Sequence, residues 1–313
     1  MSLLVLVSAV ALLIERNKYD FYLTQKYLIF GEKIETDNIS ELSNKNFFIQ
    51  KKDKKLFVNH KYPVREKFIQ HLTKRLNHLE LLRENKEYSF TSRAKLIVKA
   101  KEKSLKLELG DYFSFNHQFL LKINEKIYIV QDTYISDDLY RSKTEKYNKR
   151  YEALVALFNS KQESVLSYKL KDYIQLDDVN KIFVSKILKR AYTLYPFKNR
   201  LILEDTDKTM GIQPILPKLA YFSEQEWMTR VSFNGEQENL LASMAKIIFH
   251  NNLDQELLNL EFFQRKGERY GHFLKISSFP NLIFEFNHKL ENPYLFEPTH
   301  WEHTNRKVEN KVP

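Results

Sequence analysis

Residues 200–217, RLILEDTDKTMGIQPILP, set an apolar run ending at Leu203 against Glu204, Asp205, Thr206, Asp207 and Lys208. Two carboxylates spaced this closely at a strand end suit phosphoryl transfer. One attacks or holds a metal while the other handles a proton. A second arrangement is His300 and His303 in THWEHTNRK. A His-x-x-His pair ligates a metal when it lies on a helix or turn, and Glu297 and Glu302 are the nearby carboxylates. The chain has no cysteine, which removes thiolate nucleophiles, disulfides and Cys-based zinc or iron–sulfur sites. Metal-dependent nucleases pair an Asp with a spaced Glu-x-Lys. The Glu-Lys pairs at 32–33, 102–103 and 145–146 are adjacent, and none follows an Asp on an apolar strand. No Ser-His-Asp, Walker or dinucleotide signature is present, and no internal repeat is read.

The segment LILEDTDKT resembles the first motif of haloacid-dehalogenase-type phosphatases, an apolar strand followed by Asp-x-Asp-x-Thr, here Asp205, Asp207 and Thr209. The resemblance implies Asp205 as nucleophile and Asp207 as general acid/base, both beside Mg²⁺. It covers nine residues. The downstream acidic metal motif of that family has no counterpart here, and the motif lies far from the start of any domain.

Composition points to another chemistry. The 313 residues carry 50 Lys+Arg against 40 Asp+Glu, a net charge of +10, and the pI is about 9.3. Such a surplus favours an anionic partner: nucleic acid, an acidic protein or an anionic lipid surface. Six glycines and eight prolines are too few for Gly-rich phosphate loops or long flexible linkers. The apolar run at residues 3–14, LLVLVSAVALLI, is shorter than the roughly 20 residues of a membrane span. It reads as a buried strand or core helix, so no membrane span and a cytoplasmic location are expected.

The elements that must position these residues divide the chain into a β-rich N-terminal domain, 1–140, and an α+β C-terminal domain, 141–313, with the polar stretch 136–150 at the boundary. FFIQKKDKKLFVN (47–59) predicts a hairpin turning at Lys51–Lys55. YPVREKFIQHLTKRLNHLELLRENKE predicts one long amphipathic helix starting at Pro63. Its apolar face is Val64, Phe68, Leu72, Leu76 and Leu79, and its exposed basic face holds Arg65, His71, Lys74, Arg75 and His78. Residues 90–136 predict a four-stranded meander. Its period of two sets Lys95, Lys99 and Lys101 among lysines on one sheet face, interleaved with Tyr112, Phe113 and Phe115.

Residues 150–217 predict helices at about 151–159, 163–174 and 178–194, then two β-like runs. This is the order of a winged helix-turn-helix. Lys186, Lys189 and Arg190 would share one face of the third helix with Lys181 nearby, placed for phosphate contact. A basic turn in FFQRKGERYGHFLKI brings Arg265, Lys266 and Arg269 to a glycine-containing hairpin, another phosphate-gripping arrangement.

The fold class expected is therefore α+β. The function expected is nucleic-acid binding, DNA or RNA, by a non-catalytic protein without cofactor, with other protein subunits as further partners. The setting expected is a prokaryotic or mobile-element defence (antiviral), replication or transposition system. The alternatives are a Mg²⁺-dependent nuclease or phosphoryl-transfer enzyme with a diverged carboxylate site, and a scaffold binding an acidic protein.

Overall fold

The computed structural model describes residues 28–134, 143–174, 178–186, 189–197, 200–203, 209–210, 228–233, 240–265 and 272–286. The architecture is mixed and sheet-dominated, within the broad α+β class. The chain divides into two compact units, Met1–Val165 and Leu166–Pro313, and the 140/141 break expected from composition lies inside the first.

In the first unit the strands are β1 (Ile39–Ser43), β2 (Phe48–Lys52), β3 (Lys55–Val58), β4 (Tyr62–Pro63), β5 (Leu79–Glu84), β6 (Ala94–Ala100), β7 (Lys103–Phe113), β8 (Gln118–Ile123) and β9 (Lys126–Asp132). Helix α1 (Glu66–Leu76) separates β4 from β5, and α2 (Lys143–Phe158) and the short α3 (Gln162–Val165) follow β9. The sheet order is β4-β3-β2-β1-β6-β7-β8-β9-β5. Strand β6 has the alternation its sequence dictates: Ala94, Leu96, Val98 and Ala100 are buried, while Lys95 and Ile97 face water. The β2–β3 hairpin turns through Asp53 and Lys54, both at positive φ (48° and 68°), as the twist of paired strands favours.

Helix α1 buries Ile69, Leu72, Thr73 and Leu76, spaced as one helical stripe. It is shorter than the sequence predicts at both ends. Tyr62–Pro63 pairs with β3 as a strand, and Leu79–Glu84 pairs with β9. The stop after Leu76 has a side-chain cause. The Asn77 amide accepts from the Ile34 N–H at 2.9 Å and donates to the Ile34 carbonyl at 2.7 Å. Tertiary pairing then outweighs the helix propensity of the leucines that follow.

Arg75, expected on the exposed basic face, is buried. Its guanidinium pairs with the Asp132 carboxylate at the end of β9 and donates to the Arg150 carbonyl of α2 at 3.0 Å. The C-terminal end of α2 is held by Asn44, whose side-chain amide donates to the carbonyls of Phe158 (2.9 Å) and Ser160 (3.0 Å). Midway, the buried Tyr151 hydroxyl donates to the Gly110 carbonyl, and its ring stacks on Tyr112 at 5.0 Å.

The second unit holds β10 (Lys181–Lys186), β11 (Lys189–Phe197), β12 (Arg200–Leu203), β13 (Thr209–Met210), β14 (Met228–Phe233), β15 (Leu240–His250), β16 (Glu256–Arg265), β17 (His272–Ile276) and β18 (Leu282–Phe286). Their order is β13-β12-β11-β10-β15-β16-β17-β18-β14. Numbered from its own first strand, this order is the same as that of the first sheet. Every neighbouring pair in both sheets is antiparallel. The core includes Ile182, Val184, Phe249, Leu258, Leu260, Leu274 and Phe284.

These strands correct the winged helix. Of the three predicted helices only the first, within α2, is present. The second reduces to α3 and a single 3-10 turn at Leu170–Asp172. The third is the hairpin of β10 and β11, with Ile182 opposite Leu194 and Val184 opposite Tyr192. The physical reason is that Ile182 and Val184, two apart, are the buried pair. The segment obeys the strand period of two, and β-branched residues suit it.

Two predictions follow from this packing. Arg75→Ala leaves Asp132 buried and unpaired, so urea denaturation reads a loss of about 3–5 kcal/mol, and Arg75→Met with Asp132→Leu recovers most of it. A Cβ at Gly110 would lie 2.5 Å from the Phe90 ring and 3.0 Å from the Leu120 Cβ. Gly110→Ala therefore costs about 1–3 kcal/mol by overpacking, and Phe90→Ala in the same chain lessens that cost.

Candidate nucleic-acid interface

The outward side of the first sheet is where the predicted lysines fall. Lys95 on β6 stands opposite Glu108 on β7, and Glu108 stands opposite Lys122 on β8. Two residues back along β7, Lys106 joins the same carboxylate. Lys95 and Lys106 each sit 3.1 Å from Glu108. Lys99 pairs with Glu41 of β1 at 3.0 Å, Lys101 with Glu32 at 2.9 Å, and Lys122 with Glu125 at 3.6 Å. The sequence led to a studded positive face; the sheet makes a mosaic, in which lysines alternate with carboxylates from neighbouring strands.

The lysine side chains nonetheless remain reachable. Those of Lys95, Lys99 and Lys106 are 59%, 44% and 47% exposed. Exposed ion pairs contribute about 0–1 kcal/mol each, so an arriving phosphate competes for these ammonium groups at little cost. Glu108 differs, because its side chain is only 6% exposed. Burial works to raise its pKa, but hydrogen bonds from Lys95, Lys106 and Ser92 prevail and hold it below the usual glutamate range.

Beyond this row, where β6 begins and β7 ends, aromatic rings gather. Phe113 lies between Tyr88 (centroids 5.2 Å apart) and Phe115 (6.2 Å). Phe115 is 81% exposed and Tyr88 45%. Arg93, just before β6, lies over the Tyr151 ring at 5.4 Å and reaches Glu152 at 3.2 Å. Tyr112, predicted with Phe113 and Phe115, turns the other way. It stacks on Tyr151, and its hydroxyl meets His117 Nδ1 at 3.2 Å. Sequence reasoning missed Tyr88, which reaches the cluster from the connection between β5 and β6; no local spacing announces it.

The basic face expected on α1 is also reorganised. Lys74 and Arg75 lie over the Tyr134 ring at 5.1 and 5.0 Å, and the rings of His71 and His78 meet its edge at 6.1 and 5.5 Å. Burial first, then the charges of Arg75 and Lys74, hold the His71 pKa below its ordinary value. His71 therefore adds little positive charge at neutral pH.

In the second unit, Lys181 opens β10 and pairs with Asp254 at 3.1 Å. Lys186 ends β10 opposite Lys189, the first residue of β11, and Arg190 follows it. The helical spacing meant to gather these three does not exist in strands. Arg265 ends β16. Lys266, Arg269, Asp205, Asp207, His300 and His303, with the run 3–14, lie outside the described residues. Among the described residues no three acidic or histidine side chains converge as a metal-holding group, and no helix is long and apolar enough to cross a membrane. The described Glu84-Asn85-Lys86 is a spaced Glu-x-Lys, but Asn85 spends its side chain on a turn, accepting from the Tyr88 N–H at 3.0 Å and donating to the Tyr88 carbonyl at 2.8 Å.

A depressed glutamate pKa fixes the sign of a pH effect. Stability from Glu108 is present above the ordinary glutamate pKa, about 4.3, and is lost as pH falls through the lower folded-state value. Urea midpoints of the wild type and Glu108→Gln therefore differ at pH 7 and converge below about pH 4; a gap that stays constant would overturn this role for the carboxylate.

No family model, curated protein or solved structure matches this chain.

Proposed function

We propose that the protein binds nucleic acid, DNA or RNA, in single-stranded form and without catalysis, through the outward face of its first sheet. The observation that carries this reading is that one sheet holds exposed cations along β6 and β7 and exposed rings where β7 ends. Lys95, Lys99 and Lys106 supply the cations, and the Tyr88–Phe113–Phe115 series at the far end of β7, whose outermost ring is 81% exposed, supplies the rings. Single-strand binders combine these two parts: cations follow the backbone while bases stack on aromatic faces, whatever their sequence. The net charge of +10 draws such a polymer toward the chain at a distance.

The test is a titration of the full chain with labelled oligo-dT and oligo-rU at several salt concentrations. The affinity falls as salt rises, by about 0.7 log unit per log unit of salt for each phosphate neutralised. Phe115→Ala weakens binding by about 1–3 kcal/mol. The reading is abandoned if neither polymer binds at low salt, or if a blunt duplex binds as well as both single strands and Phe115→Ala changes nothing.

A further inference from the structure

The shared strand order of the two sheets extends to individual residues. Align Lys95 with Lys246 and the cross-strand partners follow without adjustment. Lys95 stands opposite Glu108, which stands opposite Lys122. Lys246 stands opposite Glu261, which stands opposite Lys275. The strands carrying them occupy the same three places in the two orders, β6-β7-β8 and β15-β16-β17. The alanines just before the first lysines, Ala94 and Ala245, also correspond, as do the isoleucines two places after them, Ile97 and Ile248. The sequence Leu-Lys-Ile recurs around the last lysine, at 121–123 and 274–276.

The inward neighbours agree as well. Leu96 faces Leu107, and Ile247 faces Leu260; all four are buried. One further match concerns the aromatic beside the row. At Gly110 the first unit has no side chain, and the Phe90 ring fills the space. The corresponding residue of the second unit is Phe263, whose ring lies 4.9 Å from the Lys275 ammonium. Each unit thus sets an aromatic ring next to a Lys–Glu–Lys row, by two different routes.

We infer that the chain is an internal duplication and that Lys246–Glu261–Lys275, with Phe263, is a second contact row for the phosphates of a nucleic-acid strand, equivalent to Lys95–Glu108–Lys122. The inference rests on the nucleic-acid reading above. Two copies of one unit retain one fold because each sheet needs the same strand neighbours. Cross-strand charge pairs stabilise either sheet by about 0.2–1 kcal/mol whichever way the two flanking cations are used. The lysine–carboxylate–lysine order gives each row two ammonium groups around one carboxylate, and those two groups are what the phosphates meet.

The experiment uses the full chain and labelled oligo-dT, read by fluorescence anisotropy across a salt series, with thermal melts of every variant. Lys95→Gln/Lys122→Gln and Lys246→Gln/Lys275→Gln should each weaken binding, and each should make the log–log salt dependence shallower by about 1.4, two phosphates' worth for a single strand. The quadruple variant should lose the two effects together. Lys246→Arg/Lys275→Arg keeps the charge and should bind as the wild type does. If the second-unit glutamine pair binds like wild type while the first-unit pair is weakened, the second row is structural, this inference fails and the nucleic-acid reading stands. If the arginine pair is as weak as the glutamine pair, charge is not the cause and the inference fails. If the wild type does not bind at low salt, both fall.

Discussion

The guanidinium of Arg75 leaves water at the end of α1, meets the Asp132 carboxylate at the end of β9, and donates to the Arg150 carbonyl of α2. Three elements far apart in sequence are fixed to one another by one side chain. The Asp132 carboxyl is pushed upward by burial, against the pull of Arg75 and a hydrogen bond from the Tyr134 N–H. A buried pair of this kind contributes little net energy, but either partner alone is costly. Its effect is therefore on arrangement more than on total stability. With α1 held at that point, β5 emerges where it can pair with β9 and close the sheet order. With α2 held there, Tyr151 lies against Gly110 and Tyr112, which sets the end of β7 where the exposed rings gather.

The outward face of the first sheet is a compromise between two demands. A sheet face of unrelieved lysines would repel itself across strands, because like charges directly opposite destabilise. Placing Glu108 between Lys95, Lys106 and Lys122 relieves that repulsion and still leaves the ammonium groups at the surface. Glu108 is the buried member of the group, so it stays in place while the long lysine side chains are free to exchange partners. The cations are thus presented by a stiff anionic support and are not a diffuse basic patch.

Much of the first unit was legible in the sequence because its signals are local. The alternation of β6, the turn between β2 and β3 and, within the α1 stripe, Leu72 and Leu76 each lie within a dozen residues; Val64 and Leu79, read as part of that stripe, fall outside the helix. The pattern failed where a competing period was present. Val179, Phe183, Ile187 and Ala191 recur every four residues and read as a helix, yet Ile182 and Val184 are the residues that become buried, and the partners deciding between the two periods, Ile247 and Phe249 on β15, are distant in the chain. The ion pairs of Lys95, Lys99 and Lys101 were invisible for the same reason, since Glu108, Glu41 and Glu32 come from other segments. The repeat was hidden by loops. Two residues, Lys101 and Glu102, join β6 to β7, whereas 251–255 join β15 to β16, so the offset between copies shifts part-way through. Inside a sheet, side-chain identity is free wherever volume and polarity are kept.

Among the described residues, each sheet ends on one side in a strand of two residues, Tyr62–Pro63 in one unit and Thr209–Met210 in the other. A long free edge is a template on which another chain's strand can add, and proteins of high strand content are exposed to that hazard throughout their lives. An edge two residues long offers almost no ladder to extend, and at Pro63 one of the two positions has no N–H at all. With eighteen strands among the described residues, Pro63 and an edge this short leave little for a foreign strand to pair with on that side of the first sheet.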